Sequence, residues 1–287
     1  MGKDTLRVWE RRYGFPVPGR DAQGERLYTP DDVERLQLIR RLMLQGHRPG
    51  QLVPLLPGQL RALLAEAPGA PGAGVGAAQP TEAALALVAA ADLPGLRLYL
   101  AQGVARAGLS AWVQTQLAPL IEQVGLAWAQ GRVGIHQEHL FSEVVQDVLR
   151  QALRSVPAAA LVARPRVLLS TLPGEAHGLG LLMAEALLAL EGAACISLGT
   201  QTPQDALLEA VRVHEVDIVA LSATACGSER ALRQALGSLR ARLPAEVALW
   251  VGGAAARLRL PWPDGCQRVP ELASISVAVR RWRERAA

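Results

Sequence analysis

The sequence predicts a multidomain chain in three parts: a short basic helical lobe, a four-helix bundle, and an α/β domain on a parallel sheet. Three observations carry this. Ten of the Lys/Arg fall within residues 1–50: Lys3, Arg7, Arg11, Arg12, Arg20, Arg26, Arg35, Arg40, Arg41 and Arg48. Residues 66–80, EAPGAPGAGVGAAQP, are almost wholly Ala, Gly and Pro, and such a segment buries little and keeps its backbone freedom. Beyond residue 165 short apolar runs alternate with helical patterns, the rhythm of parallel strands covered on both faces. The expected divisions are a basic lobe at 1–65, a flexible linker at 66–80, a bundle at 81–157 and an α/β domain at 164–287.

Composition bounds the alternatives. At ~150 residues per domain, 287 residues make two or three domains. With 50% hydrophobic and 20% charged residues, wholesale disorder is excluded. Aromatics are only 4%, so Ala and Leu must build the cores, which favours helices. Cys195, Cys226 and Cys266 have no close pair, which excludes a disulfide framework and a CxxC zinc site. No run reaches the ~18 apolar residues of a membrane span, and the start, MGKDTLR, has no apolar signal core. The expectation is a cytoplasmic protein with no membrane partner.

The lobe opens on TLRVWERRYG, a short helix stopped by Gly14 and Pro16. Leu6, Trp9 and Tyr13 share one face; Arg7 and Arg11 lie on another, flanked by Arg12. A cationic helix face fits a DNA groove, although charge alone is equally met by a solvated face. Pro16 to Tyr28 is turn-rich and carries Arg20 and Arg26, so a loop or small hairpin there could reach phosphates. Thr29-Pro30-Asp31-Asp32 starts a second helix, with Pro at its first position and acids in its first turn. That helix should turn Val33, Leu36, Ile39 and Leu42 inward.

The words TLRVWERRYGFPVPGR and GERLYTPDDVERLQLIRRLMLQGHRPGQL resemble the DNA-binding domain of the MerR family of transcription regulators. The resemblance implies a winged helix-turn-helix, here truncated. The arginine-rich helix is its recognition helix, the segment ending at Tyr28 its wing, and helices from Pro30 and Pro49 its support. A first helix of the family pattern is expected to be missing. The implied DNA contacts are Lys3, Arg7, Arg11, Arg12, Tyr13, Arg20, Arg26 and Tyr28, and the implied partner is operator DNA.

In the bundle, Thr81-Glu82 should start a helix running to Ala91. Asp92 or Pro94 opens the next, 93–107, with Leu93, Leu96, Leu100 and Val104 at helical spacing. Ser110 can cap a third over 110–130. A loop at Gly131–Gly134 precedes a fourth from about His136 to Val156, with Leu140, Val144, Val148 and Leu153 inward.

In the α/β part, the strands are expected at Val167–Leu169, Cys195–Leu198, Ile218–Leu221 and Ala248–Val251. The intervening helices fall at about 179–191, 203–214, 228–243 and 271–285. Ligands of such sheets sit beyond the carboxyl ends of the strands, so the loops 171–178, 199–203, 222–228 and 252–256 are the ones to inspect.

The first of these loops reads Glu175-Ala176-His177-Gly178-Leu179-Gly180. A histidine there faces the ligand edge, and Glu175 could orient its imidazole, a good ligand for a transition metal. An ordinary loop histidine is the alternative. The spacing E-x-H-x-x-G resembles the D-x-H-x-x-G motif of cobalamin-binding Rossmann-like domains, with Glu175 in place of the first Asp. The resemblance implies that His177 is the lower axial ligand of cobalt and that the cofactor's displaced nucleotide tail threads a cleft beside the sheet. Ser222, with Thr224 in the place of a leucine, and Gly252-Gly253 match the cleft lining. Gly178, Gly180, Leu198 and Thr202 complete the implied contacts.

Trp128, nine residues, then Glu138-His139 joins two bundle helices. By itself this is the ordinary pattern of a core Trp with a surface Glu-His pair. The spacing resembles that of the CarH/LitR photoreceptor regulators, and the resemblance then covers nearly the whole chain. It implies a bundle that caps adenosylcobalamin, with Trp128 packed on the adenosyl group and Glu138 and His139 holding it. It further implies a light-responsive repressor, not an enzyme, working as a homo-oligomer, dimer or tetramer. Photolysis of the cobalt–carbon bond would change assembly and DNA binding. Leu140 stands where that pattern commonly has a second His, and Ala129 follows Trp128. Two alternatives stay open: a photosensor carrying a bilin with the cobalamin, and a corrinoid methyl carrier.

Overall fold

The computed structural model describes residues 3–20, 24, 26–44, 47, 49–66, 78–156, 164–224, 228–258 and 261–286. It divides into two compact units, Met1–Gly74 and Val75–Ala287.

In the first unit, helix α1 (Lys3–Tyr13) buries Trp9 and leaves Arg7, Arg11 and Arg12 exposed. The Trp9 and Tyr13 rings meet edge to face at 6.4 Å. Gly14, at φ +66°, donates its N–H to the Glu10 carbonyl and stops the helix. A minimal hairpin follows, β1 (Gly19–Arg20) antiparallel to β2 (Arg26–Leu27). Helix α2 (Pro30–Leu44) starts on a reciprocal cap: Asp32 N–H donates to Thr29 Oγ1, and Thr29 N–H to Asp32 Oδ2. Its inward stripe is Leu38, Ile39 and Leu42. Val33, expected inward, is exposed, and Leu36 is half-buried, because the core begins a turn later than the periodicity suggested. The single support helix expected from Pro49 is two pieces. One is the turn α3 (Pro49–Leu52); the other is α4 (Pro57–Glu66). Pro54 and Pro57 lack the N–H groups a continuous helix would need.

The second unit begins with α5 (Ala78–Ala89), three residues earlier than Thr81 suggests; Pro80 is tolerated because first-turn N–H groups need no helical partner. Helix α6 (Leu93–Ala107) is capped by Asp92, whose carboxylate accepts from Gly95 N–H, and buries Leu96, Leu100 and Gly103. The helix expected over 110–130 is broken into α7 (Leu109–Trp112), a π turn (Val113–Leu117) and α8 (Ala118–Ala129). Pro119 has no N–H for the Thr115 carbonyl, and Ala118 N–H reaches the Val113 carbonyl instead. Trp112 lies on Gly103, where a Cβ would stand 2.5 Å from Nε1. Helix α9 (Ile135–Arg154) buries Phe141, Val144, Val145, Val148 and Leu149. The expected stripe holds at Val144 and Val148, but Leu140 and Leu153 are only half-buried and Phe141 is the deep residue.

The five-stranded parallel sheet has the order β4-β3-β5-β6-β7, formed by β3 (Arg166–Ser170), β4 (Ala194–Gly199), β5 (Ile218–Ser222), β6 (Ala248–Gly252) and β7 (Cys266–Val269). Four strands match the apolar runs. The fifth, Cys-Gln-Arg-Val at a sheet edge, has no such run to mark it. Helices α10 (Leu179–Leu190), α11 (Gln204–Val213), α12 (Glu229–Arg242) and α13 (Ile275–Ala286) cover the sheet. Leu168, Val219, Leu249 and Val251 face one way, with Leu207 and Val211 of α11 and Leu236 and Leu239 of α12. Val167, Leu169, Ile218 and Trp250 face the other way and share one apolar cluster with α10, α13 and the bundle core. The central strands β3, β5 and β6 are buried on both faces, hence their near-continuous apolar runs. The chain leaves β3 toward β4 and returns past it to β5, so the crevice beyond the carboxyl ends of β3 and β5 is the switch point of the sheet.

Candidate functional site: the carboxyl edge of the sheet

The loop leaving β3 is pinned before it reaches its histidine. Ser170 and Thr171 end the strand, and both are fully buried. Ser170 Oγ donates to Thr202 Oγ1 at 2.8 Å, and Thr171 Oγ1 donates to the Glu175 carbonyl at 2.6 Å. Gln201 N–H donates to Thr171 Oγ1, and Thr202 N–H to the Thr171 carbonyl. Loops 171–178 and 199–202 are therefore one hydrogen-bonded body. Thr202 sits inside this network. Ser170 and Thr171 were not singled out from the sequence, although two hydroxyls closing an apolar run are the visible signal.

Glu175 is the hub of the edge. Its Oε1 accepts from His177 N–H at 3.1 Å and meets His177 Nδ1 at 2.5 Å. Its Oε2 accepts from Thr224 N–H at 2.8 Å and from the Thr224 hydroxyl. Burial of Glu175 pushes its pKa up, but the bonds from His177 and Thr224 outweigh this and hold the carboxyl at about 2. An ionised carboxylate can only accept, so Nδ1 of His177 donates, and in the neutral ring this leaves the lone pair on Nε2. The His177 side chain is 56% exposed against 15% for Glu175. A carboxylate-oriented imidazole at a solvent edge is the donor arrangement of a metal-ligating histidine.

The glycines around it stand where the loops pack closely on one another. A Cβ at Gly253, whose φ is +82°, would lie 2.5 Å from the Ala223 carbonyl oxygen. At Gly252 it would be 3.3 Å from the Val269 carbonyl oxygen, at Gly180 3.1 Å from Ser222 Oγ, and at Gly178 3.3 Å from Thr200 Cγ2. Leu198 is exposed on the edge strand β4. The fit to a metal-bearing cofactor rests on the exposed imidazole of His177 with its Nδ1 held by Glu175.

In the bundle, Trp128 ends α8, half-buried against the shared apolar cluster. Glu138 accepts from Ser142 Oγ at 2.9 Å and meets His139 Nδ1 at 2.8 Å, and His139 is exposed. In the first unit, Arg12 lies 5.4 Å from the Tyr13 ring centroid, Arg20 donates to the Gly24 carbonyl, and Arg26 pairs with Glu10. Tyr13 and Tyr28 are half-buried. The Lys3 side chain lies outside the described residues.

A helical unit with an exposed arginine face, joined to a sheet with a glutamate–histidine pair at its switch point, defines a DNA-binding regulator with a cofactor-sensing domain. Residues 1–58 match the MerR HTH family regulatory proteins, and residues 165–262 match the B12 binding domain. The chain is 35% identical over 262 residues to the HTH-type transcriptional repressor CarH of Myxococcus xanthus, covering 88% of this chain and 85% of that one. It is 31% identical to the repressor CarA of the same organism, covering 89% and 83%. The chain belongs to this family of CarH- and CarA-like transcriptional repressors with a B12-binding domain. The monomethylamine corrinoid protein of Methanosarcina barkeri, 16% identical, shares the fold with a TM-score of 0.55 over 71% of this chain and 98% of its own. Among the described residues, no helix is long and apolar enough to cross a membrane.

Proposed function

We propose that this repressor is a light switch that carries adenosylcobalamin between the bundle and the carboxyl edge of the sheet. The observation that carries the reading is His177, exposed after β3 with Nδ1 held by Glu175. In this reading His177 would be the protein's ligand to cobalt. Gly252 and Gly253, with Gly178, Gly180, Leu198, Ser222 and Thr224, line the path of the nucleotide tail, and Thr202 holds the loop beside it. Trp128 packs on the adenosyl group, and Glu138 and His139 hold it. When bound, the cofactor supplies a cobalt–carbon bond that green or blue light breaks. Trp128 and the Glu138–His139 pair then lose what they close upon, and α8 and α9 are free to shift. Because the bundle shares one apolar cluster with the sheet, a shift there changes the surface available to a second copy.

In the dark a homo-oligomer, dimer or tetramer, holds operator DNA. Several weak domains acting together bind by avidity, and illumination lowers it. Arg7, Arg11 and Arg12 form the groove-facing cationic surface, with Lys3, Tyr13, Arg20, Arg26 and Tyr28 flanking it. A corrinoid methyl carrier is the poorer reading, since such a carrier has no use for an arginine-faced DNA lobe.

The test is an absorption spectrum of the purified protein loaded with adenosylcobalamin, before and after green light, read beside DNA mobility shift. A spectrum that changes on illumination together with release of DNA supports the reading. A light-stable spectrum, or release without spectral change, overturns it. Absorbance from a linear tetrapyrrole would mark a bilin.

A further inference from the structure

We propose that the indole N–H of Trp250 reads the lower base of the cofactor, donating a hydrogen bond to the ring nitrogen that His177 displaces from cobalt. The proposal rests on the reading of His177 as the cobalt ligand. It goes further by assigning recognition of the base to a residue inside the sheet that no motif in the sequence marks. Trp250 is the middle residue of β6 and only 3% exposed. Its Nε1 is buried and has no hydrogen-bond partner among the described residues. An indole N–H can only donate, and buried donors in native structures nearly always find an acceptor. The Trp262 N–H does so, reaching the Leu258 carbonyl at 3.4 Å. An unmet donor leaves the desolvation cost of the group uncompensated, so the acceptor for Trp250 is expected from outside the chain.

The surroundings say which acceptor. Trp250 pairs in register with Ala220 of β5, and Gly252, two residues on, pairs with Ser222. By the alternation of strands these four share one sheet face, the face that shares its apolar cluster with α10 and α13. Ala220 sits in a central strand, yet it, Ser222 and Gly252 are only half-buried. So is Ala184 of α10, one turn after Gly180, which lies against Ser222. A strip of small residues thus runs from the carboxyl edge of the sheet to the indole. Such a strip suits something flat and apolar, and the indole at its end adds one donor. A benzimidazole base matches both features: it is a flat ring that can pack on the indole, and its ring nitrogen regains a lone pair once a protein imidazole replaces it on cobalt.

The experiment uses the full chain and two cobamides in their hydroxo form. One is hydroxocobalamin; the other carries p-cresol in place of the benzimidazole and has no ring nitrogen. The second has no base to displace, so the two are compared through a variant rather than directly. Trp250→Phe keeps an aromatic body and loses the N–H. It should weaken hydroxocobalamin by ~3–10-fold, the range for one hydrogen bond, and leave affinity for the p-cresol form unchanged. In the parent labelled with 15N-tryptophan, one indole resonance should move downfield with hydroxocobalamin and not with the p-cresol form. That resonance should be missing from Trp250→Phe, and if the variant does not fold, the parent's base-dependent shift decides alone. Equal losses for the two cobamides, no loss at all, or indoles that respond alike to both would overturn the donor role while His177 remains the ligand. A second label separates the two readings. With 15N-histidine and cobalamin in its paramagnetic cobalt(II) form, electron paramagnetic resonance shows a 15N doublet from a protein imidazole and a 14N triplet from the cofactor's own base. The parent should show the doublet. If it shows only the triplet, cobalt ligation by His177 fails, and the role of Trp250 falls with it.

Discussion

Gly253 and Ala223 lie so close that a Cβ on the glycine would fall 2.5 Å from the alanine carbonyl oxygen, and the glycine φ of +82° belongs to the left-handed region. Ala223 N–H also donates to the Gly252 carbonyl, and Ala255 N–H to the Ala223 carbonyl. The loops after β5 and β6 are therefore zipped together at a point where bare backbone is required.

Gly253→Ala should accordingly be costly. Backbone strain at a positive φ is worth ~1–3 kcal/mol, and the contact with the carbonyl adds to it. The urea midpoint of the full chain should fall, and cobalamin affinity should fall with it because the loop can no longer close against Ala223. An unchanged midpoint would show that the loop relaxes without loss. Gly178→Ala, at 3.3 Å from a threonine methyl, should be much milder.

The arginines of the DNA lobe divide into two kinds. Arg11 and Arg12 are exposed on α1, whereas Arg26 pairs with Glu10 at 3.3 Å and so links the hairpin to that helix. Removing a phosphate contact flattens the log–log salt dependence of DNA binding by about one unit. Arg11→Ala and Arg12→Ala should each do this. Arg26→Ala should lower affinity with a smaller change in slope, because the loss is one of hairpin alignment. Titrations at several salt concentrations separate the two. Equal slope changes in all three variants would make Arg26 a direct contact.

Much of this architecture was legible because the strands of a doubly covered sheet have to be apolar on both faces. The runs at 167–169, 195–198, 218–221 and 248–251 could hardly be read otherwise. Edge strand β7 escaped because an edge needs only one buried residue, Val269. The phases of α2 and α9 slipped for a different reason. Both helices carry apolar residues on several overlapping stripes, and only tertiary packing chose Leu38 over Val33 and Phe141 over Leu140. The histidine loop was visible through its spacing. The grip of Thr224 on Glu175 was not, since residues 49 apart in the chain meet only once the sheet has brought their loops together.

Glu175 gives the apoprotein an acid-sensitive element. Its carboxyl is held at about 2 in the folded chain against an ordinary value of 4.5. A depressed carboxylate stabilises the fold above its unfolded value, and that contribution fades as the pH falls from about 4.5 toward 2. A shift of this size corresponds to a few kcal/mol at most, and partial exposure reduces it to ~1–2 kcal/mol. Glu175→Gln should thus be less stable than the parent at pH 6, and the gap should close as the pH is lowered. Chemical denaturation across that range measures it. A gap that stays constant with pH would mean the carboxylate charge contributes nothing.

Trp128 provides the last test, because it separates cofactor binding from the response to light. Its indole is half-buried at the end of α8, against the cluster that joins bundle and sheet. Burying a large aromatic fully is worth ~1.5–3 kcal/mol, a factor of ~10–150 in an assembly equilibrium. Trp128→Ala removes the surface on which an adenosyl group would pack but leaves Glu175 and His177 untouched. Cobalamin binding through His177 should therefore survive, while the oligomer seen by size-exclusion chromatography in the dark should weaken and lose its sensitivity to illumination. Ala129 follows the indole, so any imidazole that the bundle offers to cobalt after light would have to come from His136 or His139, and otherwise water would ligate. A 15N-histidine spectrum with a single imidazole would indicate water, and one with two would indicate a bundle histidine. If Trp128→Ala assembles in the dark and dissociates in the light like the parent, the indole is a core residue only, and the coupling must run through Glu138 and His139.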